Sequence, residues 1–250
     1  MNKTRLFLIL IFVTALNHLL FSQTQDLGNP VSWNGKLATA TTPIVLMPAF
    51  DRQLITAEDN VNDSLKDKPW RFGYKYDVNL TPKNSGLWTT LPNGDKVWRL
   101  SIICQDALTV NLILENYNLP KGAFLYLYDI DKTNRVGAYT EINNQKNGEL
   151  GTELVHGQHI VIEYYEPSYI EKRGSFKISN VIHGYRSISQ IQDTFIRALN
   201  SSGDCNIDVN CPLGNGWDNE IRSVAMIVVG GSGICTGALV NNTCNDGTLY

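Results

Sequence analysis

Along the middle of this chain apolar and polar side chains alternate with a period of two. The clearest runs are VWRLSII (residues 97–103), LTVNLIL (108–114), AFLYLYD (123–129), RVGAYTE (135–141), HIVIEYYE (159–166) and FKISNVIH (176–183). Alternation of this kind sends one set of side chains into a core and the other toward water, so each run predicts a half-buried β-strand. Turn residues separate them: Pro92-Asn93-Gly94, Leu119-Pro120-Lys121-Gly122, Asn147-Gly148 and Arg173-Gly174. No helical pattern lies between the strands. The intervals are too short for the long crossovers that parallel strands require. The prediction is an all-β fold, with an antiparallel sandwich or jelly roll over residues 66–187. On this reading Glu163, Glu166, Asp129 and Asp131 are exposed strand and turn residues.

The flanks read differently. Residues 23–65 contain Pro30, Pro43 and Pro48 and lead into the polar run TAEDNVNDSLKDK (56–68). This predicts an extended lead-in with one strand at 44–47. From Ile188 the period shifts. Ile188, Ile191, Phe195, Ile196 and Leu199 share one side of a 3.6-residue helix. A short amphipathic helix and an apolar linker both fit residues 188–204, and SSGD (201–204) ends the pattern. Farther on, IRSVAMIVV (221–229) and ICTGALV (234–240) flank Gly230-Gly231-Ser232-Gly233, which predicts a β-hairpin. The glycine run lacks the Gly-Lys-Ser/Thr ending and following helix of a phosphate loop.

Composition narrows the class. The chain has 250 residues, is 43% hydrophobic and 18% charged, and carries a net charge of -3, all of which suit a globular protein. No basic stripe is present to suggest a nucleic-acid partner. At the N-terminus Lys3 and Arg5 precede the apolar run LFLILIFVTAL (6–16), which Asn17 and His18 interrupt. This predicts a secretory signal peptide over residues 1–22, cleaved after Ser22. The run falls short of the roughly 18 apolar residues of a membrane span. A secreted protein without stable membrane association is therefore expected. Export makes the five cysteines, Cys104, Cys205, Cys211, Cys235 and Cys244, candidates for disulfides.

Chemistry-bearing constellations are sparse. His156 and His159 form HGQH, whose spacing and intervening glycine suit a turn into a strand better than a metal pair. His183 in HGYR, with Arg186, has the residue types to bind a carboxylate. No G-x-S-x-G elbow occurs. Neither a metal site nor a cofactor is predicted. Tyr126, Tyr128, Tyr139, Tyr164 and Tyr165 offer an alternative reading, a non-catalytic secreted β-sandwich binding or adhesion module with aromatic faces toward a carbohydrate or protein.

The last stretch goes further. C-N-I-D-V-x-C-P from Cys205 and C-T-G-x-L-V-N-N-T from Cys235 resemble the start of mature bacterial lysyl endopeptidases, secreted serine proteases with a chymotrypsin-like double β-barrel. PWRFGYKYDVNL, VWRLSI, LPKGAFLYLYD and VIHGYR are similar, less sharply, to the propeptides of such enzymes. The resemblance implies a zymogen: a sandwich propeptide, then the first strands of a truncated protease domain over residues 205–250. It implies that the His-Asp-Ser triad lies outside this chain, which by itself is then inactive. It implies structural disulfides at Cys205, Cys211 and Cys235 with partners downstream, and no counterpart for Cys244. Processing is expected in the stretch holding Arg197, Leu199, Asn200 and Gly203. The complete enzyme would be a monomer acting on proteins and peptides, after lysine.

Overall fold

Trp98, Leu100 and Ile102 recur at every second position, and all three are buried. They lie on a strand, Lys96–Ile103 (β5), at the centre of a six-stranded sheet. The computed structural model describes residues 27–34, 41–65, 67–187 and 212–238. The expected signal peptide, the 188–204 helix or linker with Arg197, Leu199, Asn200 and Gly203, and Cys205, Cys211 and Cys244 lie outside the described residues.

Around β5 the first sheet is assembled from Ile44–Leu46 (β1), Leu87–Thr90 (β4), Phe124–Asp129 (β7), Arg135–Tyr139 (β8) and His159–Glu166 (β11), in the order β1-β5-β11-β7-β8 with β4 also on β5. The strand expected near residue 44 is present, but it corrects one expectation. β1 runs parallel to β5, pairing Ile44 with Ser101 and Leu46 with Ile103. The crossover that this needs is supplied by all the chain between residues 46 and 96.

The second sheet holds Gly73–Leu80 (β3), Thr109–Asn118 (β6), Val155–His156 (β10) and Ser175–Gly184 (β12), in the order β10-β6-β12-β3, with Leu150–Gly151 (β9) also on β6. Its Val110, Leu112, Leu114 and Ile178 join Trp98, Leu100, Ile102, Leu125, Leu127, Ile160 and Ile162 of the first sheet in one apolar core. Two sheets sharing one core make a sandwich, and the all-β class read from the periodicity holds.

Several tyrosines belong to this core. Burial, with Cys104 nearby, pushes the Tyr76 phenol up to about 12. Burial also raises Tyr117, Tyr139 and Tyr164 above the usual phenol range. A raised folded pKa contributes stability that is complete below the unfolded value, about 10 for tyrosine, and is lost as pH climbs through the folded value. The unfolding free energy should therefore hold steady to about pH 10 and fall above it. The tyrosinate absorbance of these four residues should appear together with unfolding. Titration of these phenols near their ordinary value in the folded chain would contradict it.

Two expectations from alternation fail, for separate reasons. The polar lead-in is not extended: Arg52–Leu65 is an α-helix (α1). Asp51 starts it by accepting the Leu54 N–H at 3.0 Å. Its buried positions are Ile55 and Asp59, one turn apart. Half of the inward face is thus a carboxylate, so no apolar periodicity announces the helix.

The carboxylates Glu163, Glu166 and Asp129 are not exposed but buried, and only Asp131 faces solvent. The outward face of β11 and β7 is roofed by residues 27–34. There Ser32 donates its backbone N–H to Glu163 at 3.2 Å, and Trp33 meets Tyr128 edge to face at 5.4 Å. Tyr128 donates to the other Glu163 oxygen at 3.0 Å, and Arg99 stands opposite Glu163 across β5 and β11. Glu166 accepts from Tyr164, and Asp129 accepts from Thr133 and Asn134 within its own turn.

Beyond the sandwich, Asp218–Ser223 forms a short helix (α2), so the expected strand at 221–229 narrows to Val224–Val229 (β13). β13 pairs antiparallel with Gly233–Ala238 (β14), the predicted hairpin. Gly230 and Gly231 take positive φ values, 57° and 78°, in its turn.

Candidate functional site: the seam between sandwich and hairpin

β14 has a second neighbour. Its first residues pair with a two-residue strand of the sandwich region, Trp70–Arg71 (β2), in the register Gly233 to Arg71 and Ile234 to Trp70. The Phe72 N–H continues the ladder by donating to the Ser232 carbonyl at 2.8 Å. The result is a three-stranded sheet, β13-β14-β2, that joins the two parts of the molecule.

The sandwich holds β2 rigidly for this. Asp59 on α1 is 3% exposed and accepts from Arg71 Nε at 2.7 Å and from the Tyr185 hydroxyl at 2.7 Å. Arg186 completes the network, 2.6 Å from Asp63 and 3.5 Å from Asp59. Its guanidinium lies 3.9 Å above the centre of the Trp70 ring, a close cation–π contact. The Phe72 carbonyl accepts the N–H groups of Tyr185 and Arg186. Both edges of β2 are therefore committed, one to the sandwich and one to the hairpin.

The hairpin fits the sandwich through its glycines. Gly231 sits over Ile113 and Ile182, where a Cβ would lie 2.9 Å from the Ile113 Cδ1 and 3.1 Å from the Ile182 Cδ1. At Gly233 a Cβ would meet the Pro69 ring at 2.9 Å. Asn111, 1% exposed, donates its side-chain amide to the Gly231 carbonyl at 3.0 Å. Ile234 buries itself with Phe72 and Ile182, flanked by Trp70, Ile113 and Leu154. Beside this contact a cavity of about 670 Å³ opens between α1 and the hairpin, lined by Glu58, Asn62, Lys68, Arg71, Val229 and Ser232.

Among the described residues nothing covers the other side of the hairpin. Val224, Met226, Ile227, Val228 and Val229 of β13 are all at least 42% exposed. An apolar strand open on both faces is normally a strand that another element covers.

The remaining candidates from sequence are placed elsewhere. His183 and Arg186 do not combine: Arg186 is committed to Asp63 and Asp59, whereas the His183 ring packs edge-on against Phe50 at 5.0 Å. Burial lowers the His183 pKa, and its Nε2 has no hydrogen-bond partner. His156 ends β10 and His159 begins β11, with Gly157 turning between them at φ 93°. Cys235 is an exposed free thiol on β14, while Cys104 is a buried one whose pKa burial pushes up to about 12. The aromatic-face reading is corrected. Tyr126, Tyr128, Tyr139 and Tyr164 are at most 3% exposed and only Tyr165 is half-buried, so the row of rings is core and covered sheet.

Sequence reasoning found the glycine turn but missed its receptor. Asp59 lay hidden in a polar run, Asn111 in an apolar one, and two residues are too few for β2 to show a period.

The geometry thus describes an all-β protein whose sandwich seats a separate glycine-turned hairpin by strand addition. Residues 199–250, which contain that hairpin, match the family model of the lysyl endopeptidase C-terminal domain. That segment is lysyl endopeptidase-like, and the chain is to that extent protease-related. No solved structure matches the chain. Among the described residues no helix is long and apolar enough to cross a membrane.

Proposed function

We propose that this chain is the front part of a secreted lysyl endopeptidase-like serine protease precursor, with the sandwich through residue 187, including β1, α1 and the roof at 27–34, as the propeptide and residues from about 199 as the opening of the protease domain. The observation that carries this reading is the seam. The protease-like hairpin is seated by its turn on the sandwich, while its apolar β13 stays open for strands that the sandwich does not provide. A propeptide that holds the first hairpin of a β-rich enzyme would assist its slow, non-local assembly and keep it inactive meanwhile. The complete enzyme would cleave peptide bonds through an acyl-enzyme, after lysine, with a triad contributed beyond the hairpin. The present chain alone would not hydrolyse peptides.

The test is to express the gene together with whatever coding sequence follows it and to collect the secreted product. A mature N-terminus within residues 197–204, labelling by a fluorophosphonate, and preference for lysyl over arginyl amides are expected. A mature form beginning before Tyr185, or peptide hydrolysis by the chain shown here on its own, would overturn the reading.

A further inference from the structure

We infer that the corner between β1 and α1, residues 47–52, is an acid-sensitive latch: when His183 takes up a proton, Phe50 leaves the imidazole and the corner opens to water. The inference goes beyond the protease reading and does not depend on it.

The corner is pinned to one end of the second sheet. The Phe50 ring lies flat on Tyr74 of β3 with centroids 4.4 Å apart, and meets the His183 ring of β12 edge to face at 5.0 Å. Tyr76 donates its hydroxyl to the Pro48 carbonyl. Arg52, the first residue of α1, donates Nη2 to the Tyr185 carbonyl at 2.9 Å.

His183 is the weak member of this set. It is 5% exposed, and its Nε2 has no hydrogen-bond partner among the described residues. A neutral imidazole tolerates such a place, because it bonds the Asp106 backbone through one nitrogen and keeps a bare lone pair on the other. An imidazolium does not. It would hold a second N–H without an acceptor and a charge out of water. The surroundings offer little help. Across the sheet its neighbours are Tyr74 on β3 and Val110 on β6, neither of which titrates in acid. The corner supplies the Phe50 ring and the Arg52 cation, and only the exposed Asp106, after β5, attracts a positive charge. Burial first and Arg52 second therefore lower the His183 pKa, with Asp106 opposing them.

A way out exists beside the ring. A cavity of about 260 Å³ is lined by Met47, Phe50, Arg52, Gln105, Asp106 and His183. Once Phe50 turns away, water entering from this cavity reaches the imidazolium without unfolding the sandwich. β1 stays paired with β5, and the middle of α1 stays tied through Asp59 to Arg71 and Tyr185. The opening is confined to residues 47–52, where it releases the Arg52 anchor of the helix that clamps β2.

A histidine with a depressed folded pKa leaves the closed corner fully stable above the solvated value, about 6.5. That stability is lost as pH falls from there toward the folded value. One proton is linked, so the open fraction should rise about tenfold for each pH unit in this window. Asp95, Asp129 and Glu115, whose pKa values lie below the usual carboxylate range, titrate farther down.

The experiment follows amide exchange in the full chain at Met47 and Ile55, the buried residues on either side of the corner, at about pH 7.5 and about pH 5, corrected for the intrinsic rate. In the native chain both amides should open at least tenfold more often in acid, while Leu112 in the core of β6 should not change. His183→Phe keeps a ring against Phe50 and takes no proton, so the response should vanish. His159→Phe removes another histidine whose pKa burial lowers, and should leave the response intact. The ring protons of native His183 should titrate below about 6.5 by NMR, a reading that stands even where a variant does not fold. Equal exchange at the two pH values overturns the inference, as does a response that survives His183→Phe or disappears with His159→Phe. Equal acceleration at Leu112 would mean global unfolding and would overturn the latch. An imidazole titrating at or above about 6.5 would do the same.

Discussion

Asp59→Ala should lower the unfolding free energy of the chain by about 3 kcal/mol, the low end of the loss when one partner of a buried ion pair is removed. The low end applies because the Arg71 and Arg186 side chains are 28% and 22% exposed, and water can partly replace the carboxylate. What remains is two cations and the Tyr185 hydroxyl facing a methyl group. Asp59→Asn keeps one acceptor oxygen for Arg71 and turns its NH2 donor toward the Tyr185 hydroxyl, which can accept from it, so it should cost less, about 1–2 kcal/mol. The loss should also have an address. Asp59 ties α1 to β2, so amide exchange should accelerate most at residues 70–72 and along β14. Denaturant unfolding gives the first quantity and hydrogen exchange the second. A uniform rise in exchange, or a loss under 1 kcal/mol, would show that the network does not clamp β2.

Trp98→Ala should cost about 3–5 kcal/mol, the range for deleting a fully buried aromatic side chain. The indole is wholly buried, meets the Phe176 ring at 5.5 Å, and donates to the Ser85 carbonyl at 2.7 Å. It also explains Gly86. At that position φ is 70°, and a Cβ would run into the indole nitrogen and the Arg99 carbonyl. Gly86→Ala in the native background therefore meets both backbone strain and a clash. With Trp98 already removed the clash with the indole is gone, while the strain and the close approach to the Arg99 carbonyl, 2.7 Å from that Cβ, remain, so the two losses should fall short of adding. Chemical denaturation of the single and double variants checks this. Strict additivity would show that the indole does not dictate the glycine.

How much of this was legible depended on whether a residue's environment came from nearby sequence. The strands β5, β11 and β12 follow from their own alternation, because one sheet face meets a core of aliphatic side chains. The hairpin turn follows from its glycines. What alternation cannot report is what covers the other face. Glu163 sits at a polar position of β11, yet its roof comes from Ser32 and Trp33, more than a hundred residues away. α1 escaped notice because an inward position is an aspartate, and its partners Arg71, Tyr185 and Arg186 are spread along the chain. The seam was half visible. Gly231 announces a turn, but its seat on Ile113 and Ile182 exists only once β6 and β12 lie side by side.

The roof over Glu163 sets a limit on N-terminal trimming. Ser32 gives that carboxylate a hydrogen bond, and Gly28 accepts the Tyr126 hydroxyl at 2.9 Å, so residues 28–33 act as a lid sewn to the sheet from its far end. A polypeptide shortened to start at residue 41 would open a wet slot over Val161 and Tyr128, and leave an anion there with fewer donors. Any leader removal compatible with this sandwich has to spare Gly28, and anyone isolating the domain should keep those few residues attached.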